Sequence, residues 1–306
     1  MADRKGQRAV RARAERELAD VQRRQKEHQD AKRRQRLLVA GGFAAGIAAV
    51  VGLVWLGVRS ANQASTNFSA AIDKVVNAPE ATASPVVPSC KKPSKVSTTA
   101  QSIPANYDQI RFAPTYKYGL TLKTNCGDVT ILLDQVKAPN LVKSLIYLAN
   151  TGTPVRSNPK DSTSKIIQKT GYFDNSPCHR LTTQGIFVLQ CGDPTGTGTG
   201  GPGYTVADEN TNPGLADAGG GSVIYPRYAV VMANSGPNTN GSQFFIVYKD
   251  SPLPPNYSVV GIVQKGMSIV DKVAQAGVQG GGTDGKPKQP LVLAKVNSFE
   301  QVPVSP

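Results

Sequence analysis

Between Lys117 and Leu133 the chain carries two runs of alternating apolar and polar residues, Lys117 to Lys123 and Val129 to Leu133, separated by Asn125-Cys126-Gly127-Asp128. A period of two with a Gly-Asp turn between the runs predicts a β-hairpin. From Lys137 to Asn150 the period changes, with Leu141, Leu145, Ile146 and Leu148 at helical spacing and Gly152 closing the segment. Short apolar or aromatic runs follow at Ile186 to Leu189, Tyr228 to Met232, Phe244 to Val247, Val259 to Val263 and Leu291 to Val296, and Met267 to Ala276 fits a second helix. Many short strands, few helices and turns rich in glycine and proline predict a mainly β domain, an antiparallel barrel or sandwich.

The first 110 residues are patterned differently. Residues 1–36 hold 13 Lys/Arg against 6 Asp/Glu, so this tail supplies +7 of the chain's formal +14. Leu37 to Val58 follows, 22 residues without a charge. A helix of that length reaches about 33 Å, the thickness of a bilayer core, and the segment is predicted to be a single transmembrane helix in contact with lipid. Arg33, Arg34 and Arg36 abut one end while Arg59 alone stands near the other, and Trp55 falls near the outer end. The positive-inside bias then puts the N-terminus in the cytoplasm and the bulk of the chain outside, in a cell-membrane protein.

Glu15, Glu17, Asp20, Glu27 and Asp30 interrupt the basic tail. This favours a helix lying against anionic headgroups over nucleic-acid binding, which needs an unbroken cationic surface for phosphates. Residues 59–110 are rich in Ala, Ser, Thr and Asn and contain Pro79, Pro85, Pro88, Pro93 and Pro104. They read as a flexible linker of about 40 Å r.m.s. span. The globular domain is then 111–306.

Two blocks carry candidate chemistry. Met232 to Ile246 reads MANSGPNTNGSQFFI, an amide-rich loop running into an aromatic strand. About fifty residues upstream, Cys178-His179-Arg180 precede Phe187-Val188-Leu189-Gln190-Cys191-Gly192-Asp193 and a Gly/Thr run to Tyr204. In order and spacing the two blocks resemble the signatures of the cyclophilins, a family of peptidyl-prolyl cis/trans isomerases, and the resemblance extends from about Arg111 to Glu300. With the anchor and tail it resembles a membrane-anchored bacterial form of actinobacterial type.

The resemblance implies a closed eight-stranded antiparallel barrel capped by two helices, and an enzyme that rotates X-Pro bonds of proline-containing polypeptides. The barrier to that rotation is about 18–20 kcal/mol, and no bond is made or broken. The site therefore needs no nucleophile, metal or cofactor. It needs an apolar slot for the ring, donors for the main chain, and a cation that favours the twisted amide over its planar forms. The resemblance assigns the cation to Arg180 and its orientation to Gln190. It assigns the proline pocket to Phe187, Val188, Phe245 and Leu253, and the grip on the substrate main chain to the Asn234 backbone and the Gln243 side chain. Ala233 and Ser235 stand beside these, His179 borders the pocket, and Tyr257 occupies a position where the family often has His. The alternative in a different class is a membrane-tethered chaperone or scaffold that binds proline segments without turnover.

Other readings of the same residues are weaker. Cys178, His179 and Cys191 are poorly spaced for zinc, since adjacent strand residues point to opposite faces. The Gly196 to Gly203 run lacks the Gly-Lys-Ser/Thr ending of a phosphate loop.

Several positions depart from the family. Cys178 and Cys191 replace Phe and Gly, two extra residues enlarge the loop Thr182 to Gly185, Val188 stands for Met, and an insertion occupies Thr153 to Lys169. The segment Ser251 to Tyr257 lacks the Trp that helps the family bind cyclosporin, so weak cyclosporin binding is expected. With four cysteines outside the membrane, the barrel implied by the resemblance suggests Cys178 bonded to Cys191 on neighbouring strands and Cys90 to Cys126. Free thiols are the alternative.

Overall fold

The computed structural model describes residues 89–152, 155–156, 166–167 and 170–301. The expectations for the basic tail, the apolar span 37–58 and linker residues 59–88 lie outside them. Among the described residues no helix is long and apolar enough to cross a membrane.

In chain order the strands are β1 (Lys117–Thr124), β2 (Gly127–Leu133), β3 (Val155–Arg156), β4 (Ile166–Ile167), β5 (Ser176–Pro177), β6 (Arg180–Thr182), β7 (Val188–Cys191) and β8 (Asp217–Gly219). Then come β9 (Ser222–Tyr225), β10 (Ala229–Met232), β11 (Phe244–Val247), β12 (Ser251–Leu253), β13 (Val259–Lys265), β14 (Asp284–Gly285) and β15 (Val292–Gln301). Helix α1 spans Pro139–Asn150 and α2 spans Met267–Ala276. Pro139 at the start of α1 needs no hydrogen-bond acceptor for its nitrogen, and the Glu209 carboxylate accepts from the Asn140 and Leu141 amides at 3.0 Å. A distant acid thus caps the positive end of the helix.

Ten strands form one sheet in the order β14-β6-β7-β11-β10-β13-β2-β1-β15-β5, antiparallel at every pairing. The hairpin anticipated at 125–128 is present, with Thr124 opposite Gly127. The resemblance implied eight strands closed into a barrel; the hydrogen-bonded order instead is a curled, open one of ten. Its two margins are linked by the chain, because β5 and β6 are separated only by Cys178 and His179. A three-stranded sheet, β12-β9-β8, shares no ladder with it, and β3 pairs with β4 within the insertion.

Strand alternation sorts the side chains into two clusters. Leu120, Leu122, Val129, Ile131, Leu189, Val230, Met232, Phe244 and Ile246 pack inward with Leu141, Leu145 and Leu148 of α1 and Ile269, Val270 and Val273 of α2. Their neighbours Val188, Ala229, Val231, Phe245, Val247 and Val259 point the other way and pack with Val223 and Tyr225 of β9. Strands buried on both faces explain why β10 and β11 read as continuous apolar runs rather than alternating ones.

Residues 89–112, the last part of the expected linker 59–110 and the first two residues of the expected domain, run along the domain. Cys90 is bonded to Cys126 (S–S 2.07 Å), the Lys91 amide donates to the Asn125 carbonyl at 2.9 Å and the Ile103 amide to Pro202 at 2.8 Å. Tyr107 stacks on Tyr204 with ring centroids 5.4 Å apart. Prolines 93 and 104 limit regular structure here to one 3₁₀ turn, Asn106–Gln109, and the rest of the strap is held by single hydrogen bonds and one covalent bond. The second disulfide joins Cys178 to Cys191 (S–S 1.99 Å).

Candidate active site

Arg180 opens β6 directly across from Gln190 of β7. Its Nε and Nη2 donate to the two carboxylate oxygens of Asp284, both at 2.8 Å, and its Nη1 donates to Gln190 Oε1 at 3.4 Å. Gln190 Nε2 donates in turn to Gln243 Oε1 at 2.8 Å, and Gln243 Nε2 to the carbonyls of Gly198 (2.9 Å) and Gly200 (2.8 Å). A carboxylate, a guanidinium and two amides therefore form one chain across β6, β7 and the entry to β11. The hydrogen bonds that Arg180 donates to Asp284 raise the Arg180 pKa, and the same bonds lower that of Asp284. The side chains of the pair are 41% and 53% exposed, a setting in which an ion pair contributes at most about 1 kcal/mol to stability. Its main effect is on where the guanidinium points.

Beside this chain lies the apolar surface of the second cluster. Val188 and Phe245 are buried there, and Ala233, Leu253 and Tyr257 pack on them half-buried. Tyr257 meets Phe245 edge-on at 5.7 Å and Tyr225 at 6.4 Å. The Tyr225 hydroxyl donates to the Tyr257 carbonyl at 3.1 Å, fixing the loop that carries Tyr257, and burial pushes its pKa up to about 12. Leu253 is held by β12 opposite Val223.

Phe187 is not part of this surface. Its ring stands edge-on to Tyr248 at 6.0 Å with Lys249 Nζ 4.5 Å above it, in a separate shallow cavity bordered by Asp271 and Gln275. Ile186 packs against the cluster instead. Alternation accounts for this: Gln190, Val188 and Ile186 share a face, and Phe187 takes the other. The signal for Ile186 was present in the chain, and counting back in twos from Gln190 finds it.

A groove of about 560 Å³ adjoins the chain of amides, lined by Gln190, Gln243, Ala233, Asn234, Ser235 and the 198–205 loop. Asp193, fully buried, organises that loop. Its carboxylate accepts from the backbone amides of Thr195 (2.7 Å), Thr197 (3.1 Å), Gly198 (2.7 Å) and Gly200 (3.1 Å). Burial raises its pKa, but the bond from the Thr195 hydroxyl (2.7 Å) and those from the Thr195, Gly200 and Gly198 amides outweigh it, and the net shift is downward. The Asn234 side chain donates to the Asn256 carbonyl at 2.9 Å, and the Ser235 amide donates to Thr239 Oγ1 at 2.8 Å. Gln243 departs from its expected role in one respect. Both its amide hydrogens are used within the protein, so what it can offer a substrate is the second lone pair of Oε1.

His179 lies beneath the loop rather than on the apolar surface. It is 8% exposed, its ring lies against Gly198, and neither ring nitrogen has a protein hydrogen-bond partner. Burial lowers its pKa, outweighing the attraction of Asp193. Cys178 and Cys191 are bonded to each other, so neither is a thiolate available to a metal or an electrophile.

The sequence model of the cyclophilin type peptidyl-prolyl cis-trans isomerases matches residues 119–298. The chain belongs to the cyclophilin family. The protein named probable peptidyl-prolyl cis-trans isomerase B of Mycobacterium tuberculosis is 42% identical over 186 residues, 58% of this chain and 53% of that protein. Peptidyl-prolyl cis-trans isomerase A of the same species is 34% identical over 195 residues, 63% of this chain and 98% of that protein. A solved cyclophilin type isomerase of Cryptosporidium parvum is 26% identical, with a TM-score of 0.45, covering 62% of this chain and 99% of that one. This chain therefore matches about half the length of the mycobacterial isomerase B. The matched span starts within β1 and ends within β15, so it reaches every strand of the ten-stranded sheet and leaves the 89–112 strap outside.

Proposed function

We propose that this chain accelerates cis/trans rotation about X-Pro bonds in exported or envelope proteins. The observation that carries the reading is Arg180, held by Asp284 and Gln190 at the margin of the apolar surface made by Val188, Phe245, Leu253 and Tyr257. A proline ring seated on that surface would bring its amide nitrogen toward the guanidinium. A permanent cation with several donors stabilises the lone pair that appears on the nitrogen as the amide twists. The groove beside Asn234 and Gln243 would take the flanking main chain. No step requires a cofactor.

The proposal extends to location. The 22 uncharged residues from Leu37 to Val58 and the arginines at their N-terminal end support a single anchor with the isomerase domain on the extracytoplasmic side. Two disulfides fit an oxidising compartment. Protease added to intact spheroplasts would then remove the domain and leave the tail; protection of the domain would reverse the topology.

Turnover is tested by NMR exchange spectroscopy on an X-Pro peptide with the full chain and with Arg180→Ala. Acceleration that falls by orders of magnitude in the variant is the expected result. Peptide binding without acceleration would instead make the protein a proline-segment-binding chaperone or scaffold. Cyclosporin titrated into the same assay should inhibit weakly, since the segment 251–257 offers Tyr257 and no Trp; tight inhibition would contradict this.

A further inference from the structure

We propose that Asp284 is a positioning residue for the isomerase reaction, clamping one edge of Arg180 so that the opposite edge meets the prolyl amide. The proposal rests on the reading of Arg180 as the cation of the site.

Asp284 reaches Arg180 from 104 positions further along the chain, and the fold makes specific provision for it. The hairpin 277–288 is closed by Gln279 N–H to the Lys286 carbonyl and Lys288 N–H to the Gly277 carbonyl, both at 2.8 Å. Gly280 and Gly281 at its tip have φ of 79° and 80°, a backbone region that side chains with a Cβ seldom adopt. The hairpin is docked on β6 by the β14 ladder, Asp284 opposite Thr182 and Gly285 opposite Leu181, and by the Thr183 amide donating to the Thr283 carbonyl at 2.8 Å. Its carboxylate is thereby delivered by backbone bonds to the strand that carries Arg180.

The geometry at the carboxylate is two parallel bonds of 2.8 Å, one to Nε and one to Nη2. A fork facing a fork fixes the guanidinium plane as well as its distance, which a single contact cannot do. Nη1 is left on the opposite edge, where it reaches Gln190 Oε1 at 3.4 Å. An exposed arginine without such a clamp would sample many rotamers, and most would point the charge away from the amide nitrogen. An interaction that adds little to stability at this exposure can still govern rate by confining the cation to the reactive orientation.

The experiment is exchange spectroscopy on the full chain, giving the rate on the enzyme and the peptide affinity separately, for wild type, Asp284→Asn, Asp284→Glu, Arg180→Ala and the Arg180→Ala/Asp284→Asn double variant. Asp284→Asn is expected to lower the catalysed rate between about ten- and a hundredfold, the effect of a misplaced catalytic group, with peptide affinity changed less than about twofold. Asp284→Glu should recover part of the loss. In the Arg180→Ala background, Asp284→Asn should have no further effect, because the clamp acts only through the guanidinium. A rate within about twofold of wild type for Asp284→Asn would overturn the proposal, as would a faster variant, which would make the contact a restraint. Equal losses with and without Arg180 would also overturn it, since the hairpin would then act through the fold. A wild-type chain that does not accelerate exchange would remove the underlying reading of Arg180, an outcome distinct from all of these.

Discussion

His179 and Arg180 are neighbours with opposite surroundings because they lie on successive positions of extended chain. Arg180 faces solvent and Asp284, whereas His179 is buried against Gly198 without a protein partner for either ring nitrogen. Burial favours the neutral imidazole, so its folded pKa lies below the unfolded value of about 6.5. Below that pH the unfolded chain binds a proton that the folded chain resists, and stability falls with falling pH until the folded pKa is passed. Melting temperature measured from pH 7.5 to 5 should therefore decline, and the decline should be shallower in His179→Gln. Asp193 attracts and Arg180 repels a proton at this site, which sets how far the folded value drops. An identical slope in the variant would assign the pH dependence to other groups.

Among elements, the strap 89–112 depends least on local pattern and most on distant partners. Its contacts are with the β1–β2 turn through Cys126 and Asn125, with Pro202 and Tyr204 beside the groove, and with Tyr172 through the Gln101 side chain. A composition of Pro, Ser and Thr reads as linker because it disfavours long helices and strands, but a strap needs no more than the single 3₁₀ turn Asn106–Gln109. The Cys90–Cys126 bond closes a separation of 36 residues, for which chain entropy gives about 3–4 kcal/mol. Cys90→Ser should lower the melting temperature by up to about 10 °C, measured against wild type under oxidising conditions. An unchanged value would mean that the remaining contacts hold the strap. The loop 193–200 is the complementary case: its Gly/Thr composition signals a turn, while its shape is set by one buried carboxylate gathering four amides.

The molecule as a whole is built on a sheet with two apolar faces, and β11 shows the division of labour between them. Phe244 belongs to the inner core with Phe173 and the helices, while Phe245, one residue on, faces Val188 and Tyr257 at the candidate pocket. Phe244→Ala should cost about 3–5 kcal/mol of stability, the usual penalty for a large cavity in a packed core. Phe245→Leu should leave most of the stability and weaken peptide binding. Denaturant unfolding and peptide titration on both variants check the pair; equal stability losses would show that the second cluster is core alone.

Much of this was legible along the chain because it depends on local periodicity. The hairpin, both helices and the run at Phe244 to Val247 are short-range patterns, and the two sequence blocks named the family and most of the residues now found together. Phe187, which the resemblance placed in the pocket, stands with Tyr248 and Lys249 instead, because the pleat puts Val188 and Ile186 on the pocket side and Phe187 on the other. The open ten-stranded order, the end of the linker at the strap and the commitment of both Gln243 hydrogens depend on partners far away in sequence. So does Asp284, an unremarked acid in a glycine-rich stretch until the β6–β14 ladder sets it against Arg180. Periodicity is written residue by residue and survives without folding; the meeting of residues 104 positions apart exists only once the chain has folded.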